Sequence, residues 1–297
     1  MFQSALETAL RQTMLRAVRP MLNPRIGVSL QRLLIRQAYQ SSRPPSGCHF
    51  ESVDFGGVPS TRVSHDVNGD GVLLYFHGGG YILGSSATHR GLTGHLAKAT
   101  GVPVIVPDYR LAPEHPFPAA LDDAHAVYQA LLDSGLAANR IALAGDSAGG
   151  GLSLALAMRL RDEGQPLPAS LTLFSPWTDL TNSQLSVPDC EPVLNRGWID
   201  KAARLYAGSE SATTPLLSPV YGDLTGLPPL LIQVGSQEVL LNDAQRLADR
   251  ARNQDVDTTL EIYNSLWHVF QVHAGQLQRA TDAVNTAGRF IKRAFEQ

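Results

Sequence analysis

Cysteine is nearly absent. The two in the 297-residue chain, Cys48 and Cys190, lie far apart and belong to no C-x-x-C. That excludes a disulfide framework or a cysteine cage for metal, and two free thiols fit a reducing compartment, here the cytoplasm. No apolar run approaches the ~18 residues of a membrane span, which argues against stable membrane insertion. A secretory leader is not expected, because Arg11, Arg16 and Arg19 interrupt any apolar signal core. The 26 Gly and 19 Pro follow no G-x-y period, so the chain is not collagen-like. A net charge of −3 offers no basic field for nucleic acid. No H-E-x-x-H is present, and neither a metal nor a cofactor is expected. What is there is ordinary globular composition, 43% hydrophobic and 17% charged, in a length that suits one large domain or two small ones.

The charge is uneven. The first 43 residues hold seven Arg, no Lys and one acid, Glu7, while the remainder has 17 bases against 26 acids. An Arg-rich, acid-poor start fits a transit peptide or a basic helix on a membrane surface. The favoured reading is a folded piece of the protein. Leu6, Leu10, Met14 and Val18 stripe one helical face, Pro20 and Pro24 break the chain, and a second run places Leu30, Leu33, Leu34 and Tyr39 on one side. The stretch Ser41–Gly47 reads as a linker.

Beyond it the pattern alternates. Strands are expected at His49–Phe55 and Ser60–His65, a hairpin-like pair around Gly56-Gly57, and at Val72–Phe76, Val102–Val106, Ile141–Ala144, Leu171–Phe174, Leu230–Val234 and Thr258–Tyr263. Helical spacing marks Ala119–Leu132, Gly149–Leu160, Leu241–Asn253 and a tail from about His268 to Phe295. Such alternation predicts an α/β fold, a mostly parallel eight-stranded sheet with helices on both faces. About 55 residues separate Phe174 from Leu230, far more than a crossover helix needs. The expectation is cap helices at 1–45, a catalytic domain at 46–297, and a further cap insertion at about 180–220 that carries Trp198 and Tyr206.

Gly145-Asp146-Ser147-Ala148-Gly149 is a G-x-S-x-G between a predicted strand and a predicted helix. A sharp turn there strains the middle residue and presents its side chain, and the helix N-terminus behind it offers free N–H groups. His77-Gly78-Gly79-Gly80 directly follows the strand Val72–Phe76. Consecutive glycines cost entropy and are kept where backbone must approach something closely. Two of their N–H groups, with that of Ala148, suit an oxyanion. A dinucleotide loop is disfavoured, because Leu83 stands where G-x-G-x-x-G needs its third glycine. His77 reads as orienting this loop.

A serine nucleophile needs a base and a carboxylate that holds it. Only His268 and His273 lie beyond Ser147. His268 follows the loop after the last predicted strand, whereas His273 falls inside the next predicted helix. Glu238 sits just after Leu230–Val234. Its rival Asp243 lies near a helix start, where capping explains it. Glu238 is favoured and Asp243 stays open.

Taken together these residues resemble the hormone-sensitive-lipase-like branch of the α/β-hydrolases, which includes many bacterial carboxylesterases. The likeness rests on His77–Gly80, Asp108–Ala119, Gly145–Gly150, Ser175-Pro176-Trp177 and Trp267–Phe270, in order and spacing. It implies an α/β-hydrolase fold with a helical lid, Ser147 as nucleophile, His268 as base, Glu238 as acid where many members carry Asp, and Gly78, Gly79 and Ala148 as the oxyanion hole. Asp146 and the Asp108–Pro118 stretch read as structural, with its Tyr, Arg and Glu pinning the loop beneath the glycines. The expected substrate is a small-molecule ester with a short acyl chain, and Trp177, Trp198, Tyr206 and Tyr81 are candidate pocket walls. Amide cleavage by the same triad, as in an arylformamidase, is the alternative, and a non-catalytic ligand-binding protein of the same fold is a third. A homodimer through Thr258–Tyr263 is expected by analogy.

Overall fold

A computed structural model describes residues 2–39, 42–66 and 68–296. Ser41 of the expected linker lies outside them. Eight strands form one sheet: β1 (His49–Phe55), β2 (Val58–Ser64), β3 (Val72–Phe76), β4 (Val104–Pro107), β5 (Ile141–Asp146), β6 (Leu171–Phe174), β7 (Leu230–Gly235) and β8 (Thr258–Tyr263). Their spatial order is β1-β2-β4-β3-β5-β6-β7-β8. β2 is antiparallel to both its neighbours, and every other pairing is parallel. Order reverses around β3, which has β4 on one side and β5 on the other, and crevices for ligands open beyond the carboxyl ends of strands at such a point.

The helices are α1 (Phe2–Thr13), α2 (Val28–Ala38), α3 (Arg90–Thr100), α4 (Ala119–Asp133), α5 (Ala148–Asp162), α6 (Arg196–Ala207), α7 (Leu241–Arg252) and α8 (Gln278–Phe295). α1 runs on through a π-helical turn, Met14–Val18, to a last turn, Arg19–Met21. Alternation along β3 builds two cores. Leu73 and Tyr75 join the layer of α3 and α8, while Leu74 and Phe76 join that of α4, α5 and α7. The second core continues into Val18, Leu22 and Ile35 near the N-terminus and Trp198 of α6, so the basic segment packs into the fold.

Three expectations need correction. α3 was not foreseen, because its two glycines and two threonines dilute the helical signal. The C-terminal tail is not one helix: Val269 has φ +49°, a 3₁₀ turn covers Phe270–His273, and Gly275 at φ +83° separates it from α8. His273 therefore ends a turn instead of sitting within a helix. In α2, Leu30 and Leu33 point outward while Gln31 and Ile35 are buried. The Gln31 amide makes this possible by donating to the Met21 and Asn23 carbonyls at 2.9 and 3.0 Å and accepting from Trp198 Nε1 at 3.4 Å.

Candidate active site

Ser147 links β5 to α5 with φ +52°, ψ −118°, a conformation that side-chain-bearing residues rarely adopt. Close packing enforces it. A Cβ on Gly149 would run into the Phe76 carbonyl, and one on Gly145 into the Gly149 carbonyl. The Ser147 amide donates to Phe174 O at 2.9 Å, and its carbonyl accepts from Trp177 N at 2.9 Å. Ala148 is the first residue of α5, so its N–H has no partner within the helix.

The glycine loop follows β3, the strand beside β5. The Tyr109 hydroxyl donates to His77 O at 2.6 Å, and the two rings stack at 4.2 Å. Burial lowers the His77 imidazole to about 4, so it is a neutral packing element. Gly78 departs from expectation. Its N–H donates to Asp146 Oδ1 at 2.9 Å and is not free for a ligand. Among the described residues, the N–H groups of Gly79 and Gly80 meet no backbone acceptor. Gly80 has φ +62°, and a Cβ there would lie 2.8 Å from the Trp198 ring.

Asp146 anchors this side. Besides Gly78 it accepts from Tyr75 Oη at 2.6 Å and faces His89 Nε2 at 3.3 Å. Burial alone would push its carboxyl up, but the His89 charge and these hydrogen bonds outweigh that and hold it below the usual carboxylate range. His89 moves the opposite way. Burial would lower it, and Asp146 raises it above the ordinary histidine value. In the Asp108–Pro118 stretch, Tyr109 is the residue that hydrogen-bonds His77 of the glycine loop among the described residues. Arg110 pairs with Asp123 of α4 at 2.7 Å and Glu114 with Arg32 of α2 at 2.7 Å, so these two fasten the stretch itself to the helices beside it.

On the other side, His268 Nδ1 lies 3.1 Å from Glu238 Oε1. The second carboxylate oxygen of Glu238 accepts from Ser175 Oγ at 2.7 Å and from Gly235 N at 2.8 Å. Ser175 Oγ accepts in turn from Val269 N at 3.1 Å, so one hydroxyl ties acid and histidine turns together. Burial would lower the His268 imidazole, but the hydrogen bond and charge of Glu238, with the Glu191 charge added, raise it above the ordinary histidine value. Asp243 is elsewhere: its Oδ2 accepts from Thr178 N and Asp179 N, each at 3.1 Å.

Ser147, His268, His89, Asp146 and Gly79 line one cleft. Its apolar walls are Val18, Leu22 and Ile35 from the N-terminal helices, Val193, Leu194 and Trp198 from the segment between β6 and β7, and Leu83 and Val269. Of the four aromatic residues expected as walls, Trp198 alone lines it. Tyr81 and Tyr206 stack on each other at 3.7 Å, and Trp177 is buried with Nε1 donating to Asn182 Oδ1 at 3.0 Å; all three serve the core.

A family model described as the alpha/beta hydrolase fold matches residues 73–272. An acetyl-hydrolase of Streptomyces hygroscopicus is 44% identical over 225 residues, 75% of this chain and 75% of that one. A solved hormone-sensitive lipase from a metagenome library aligns with a TM-score of 0.92 at 38% identity, covering 99% of each chain. A solved esterase from the bacterial hormone-sensitive lipase family gives 0.89 at 39%, covering 96% of this chain and 98% of that one. The chain belongs to the alpha/beta hydrolase fold family, in its hormone-sensitive-lipase-like branch.

Within this hydrolase, several residues that support the site carry no signal in the sequence. Ser175 stood in a noted motif, yet nothing in Ser-Pro-Trp says that its hydroxyl bridges two turns. His89 and Tyr75 carry no motif and become visible only when β3 and the start of α3 converge on Asp146. Glu191 is fully buried between β6 and β7, where its carboxylate accepts from Val193 N at 2.7 Å and Val239 N at 3.0 Å. An isolated acid in a Pro-rich stretch gives no signal of that.

Proposed function

We propose that this chain is a serine carboxylesterase for esters of short acyl chains, with Ser147 as nucleophile, His268 as base and Glu238 as the carboxylate that orients it. Ester hydrolysis comes with membership of the hormone-sensitive-lipase-like branch, and its finer assignment rests on the site. The observation that carries it is the buried Glu238–His268 hydrogen bond opening onto the same cleft as the strained Ser147. His268 Nε2 takes the proton as Ser147 Oγ attacks the acyl carbon, and Glu238 keeps Nδ1–H in place and stabilises the imidazolium. The oxyanion is held by N–H groups of Gly79, Gly80 and Ala148, with Gly78 replaced in this role because Asp146 occupies its N–H. His268 returns the proton to the leaving alkoxide, and a water, deprotonated by the same imidazole, releases the acid. The helices at 1–45 and the insertion at about 180–220 act as a cap, since they supply most of the apolar wall and leave room for a short acyl group.

The test is Ser147→Ala against wild type on p-nitrophenyl acetate, butyrate and a long-chain triglyceride emulsion. The expected result is a fall of about 10⁶-fold for the variant, and a wild type faster on the short soluble esters. A variant retaining full turnover would falsify the mechanism, and a preference for the emulsion would overturn the acyl-chain assignment.

A further inference from the structure

The arginine excess of the first 43 residues plays no part in the mechanism above. Arg16, Arg25 and Arg36 are exposed, whereas Arg11, Arg19 and Arg32 are half-buried. Arg11 donates to the acid and histidine turns, Arg19 to the segment that holds the acid turn, and Arg32 to the chain just past the glycine loop. Arg11 Nη2 donates to Gln237 Oε1 at 2.6 Å and to Ser265 O at 2.5 Å, Nη1 donates to Cys190 O at 2.8 Å, and the guanidinium lies 5.1 Å from the centre of the Trp267 ring. Gln237 immediately precedes Glu238, and Ser265 and Trp267 lead into His268. Arg19 donates to the carbonyl of Glu191 at 3.0 Å, and the carboxylate of Glu191 holds Val239 N at 3.0 Å. The residues on both sides of Glu238 are thus fastened to the N-terminal helices. Arg32 donates to Ile82 O, just past the glycine loop, at 2.9 Å.

The structure assigns Arg11 as a positioning residue for the Glu238–His268 pair: a side chain of α1 that cross-links the acid turn to the histidine turn. The assignment rests on the esterase reading. A planar guanidinium aims several donors at once, which suits it to bridging two turns, and a lysine ammonium lacks that fixed fork. The two turns also meet through the Ser175 hydroxyl and through Gln237 N donating to Leu266 O at 2.9 Å; Arg11 adds a tie from outside both turns, and without it the distance between the pair is less well fixed. The same N-terminal helices wall the cleft, so undocking them to admit substrate would also release the clamp.

The test compares Arg11→Ala, Arg11→Lys and Gln237→Ala in the full chain, with Arg16→Ala as the exposed control. kcat and KM are measured on p-nitrophenyl acetate, butyrate and hexanoate, per active site titrated with a fluorophosphonate. Arg11→Ala should lose about 10–100-fold in kcat by the same factor on all three esters, with KM within about twofold. Arg11→Lys should recover part of the loss, Gln237→Ala should fall in the same direction, and Arg16→Ala should match wild type. A titrated kcat for Arg11→Ala close to wild type, a change confined to KM for hexanoate, or an equal loss in Arg16→Ala overturns the assignment. If Arg11→Ala does not fold, Gln237→Ala decides, and an unchanged kcat there overturns it. A wild type that neither turns over these esters nor reacts with the fluorophosphonate sinks the esterase reading and the clamp with it, whereas an active wild type beside an unaffected Arg11→Ala sinks the clamp alone.

Discussion

Two buried carboxylate–histidine pairs meet at Ser147, and the contrast between them shows which one is wired for the base that the proposed mechanism needs. In both, burial works against the charged imidazole and the carboxylate overrides it, so both histidines sit above their ordinary value. The wiring differs. His89 Nδ1 contacts Thr88 Oγ1 at 2.9 Å and Ser85 O at 3.2 Å while Nε2 faces Asp146, so both ring nitrogens are committed. His268 commits Nδ1 to Glu238, and its ring lines the cleft. The first pair holds Gly78 and hence the glycine loop, and the second is the one to which the proposed mechanism gives the proton transfer. A charged partner is common to both; a ring nitrogen left for substrate belongs to one.

The largest break in this comparison should come from Glu238→Gln. The amide keeps the shape and removes the charge that outweighs burial, leaving His268 free to adopt the wrong tautomer. kcat for p-nitrophenyl acetate should fall about 10³–10⁴-fold. His268 acts as base only when neutral, so wild-type activity should be lost as pH falls through a value above that of an ordinary histidine. In the variant that acidic limb should move to lower pH. An unmoved limb in the pH–rate profile would show that Glu238 does not set the base.

The second pair predicts a smaller and different effect. His89→Gln keeps a donor toward Asp146 but removes its counter-charge, which loosens the acceptor of Gly78 N–H. The glycine loop is detuned, not deleted, so kcat should fall about 10-fold, less than the loss of a whole oxyanion donor. The acidic limb should stay where wild type has it, because His89 donates no proton to the reaction. A limb that shifts with His89→Gln, at unchanged kcat on the plateau, would mean the two pairs titrate as one and erase the distinction.

The comparison also explains what the sequence could reveal. Strand-turn-helix punctuation marked Ser147 for a sharp turn, which the fold has, and the chain order of acid and histidine picked out Glu238 and His268, which the fold brings into hydrogen-bond contact. The parallel sheet followed from short apolar runs buried on both faces. The use of Gly78 was misjudged because which glycine N–H is free depends on where Asp146 reaches from β5, a contact across 68 residues. The outward turn of Leu30 and Leu33 was hidden for a similar reason: leucine spacing suggested the buried face, but the Gln31 amide found partners on the far side of the segment. Positions fixed by a turn were legible, and contacts fixed by a partner brought close only in the folded chain were not.

Asp243 gives the smallest effect and the sharpest control, being a buried carboxylate with no histidine at all. Its Oδ2 accepts two backbone N–H groups, from Thr178 and Asp179, and Oδ1 has no partner among the described residues. Burial pushes its carboxyl from 3.8 up to about 7, so near neutral pH much of it carries no charge for catalysis to use. Asp243→Asn keeps an acceptor for both N–H groups, and kcat should stay within about threefold of wild type with the acidic limb unmoved. Stability should respond instead. An acid raised in the folded state binds its proton there while the unfolded chain has released it, so it lowers wild-type stability as pH rises between about 4 and about 7. Asn cannot titrate, and the stability difference between variant and wild type in urea denaturation should therefore grow in favour of the variant across that range and level off above it. A difference independent of pH, or a shift of the activity limb, would place Asp243 among the groups that tune His268 and undo the separation between a merely buried acid and one wired to a base.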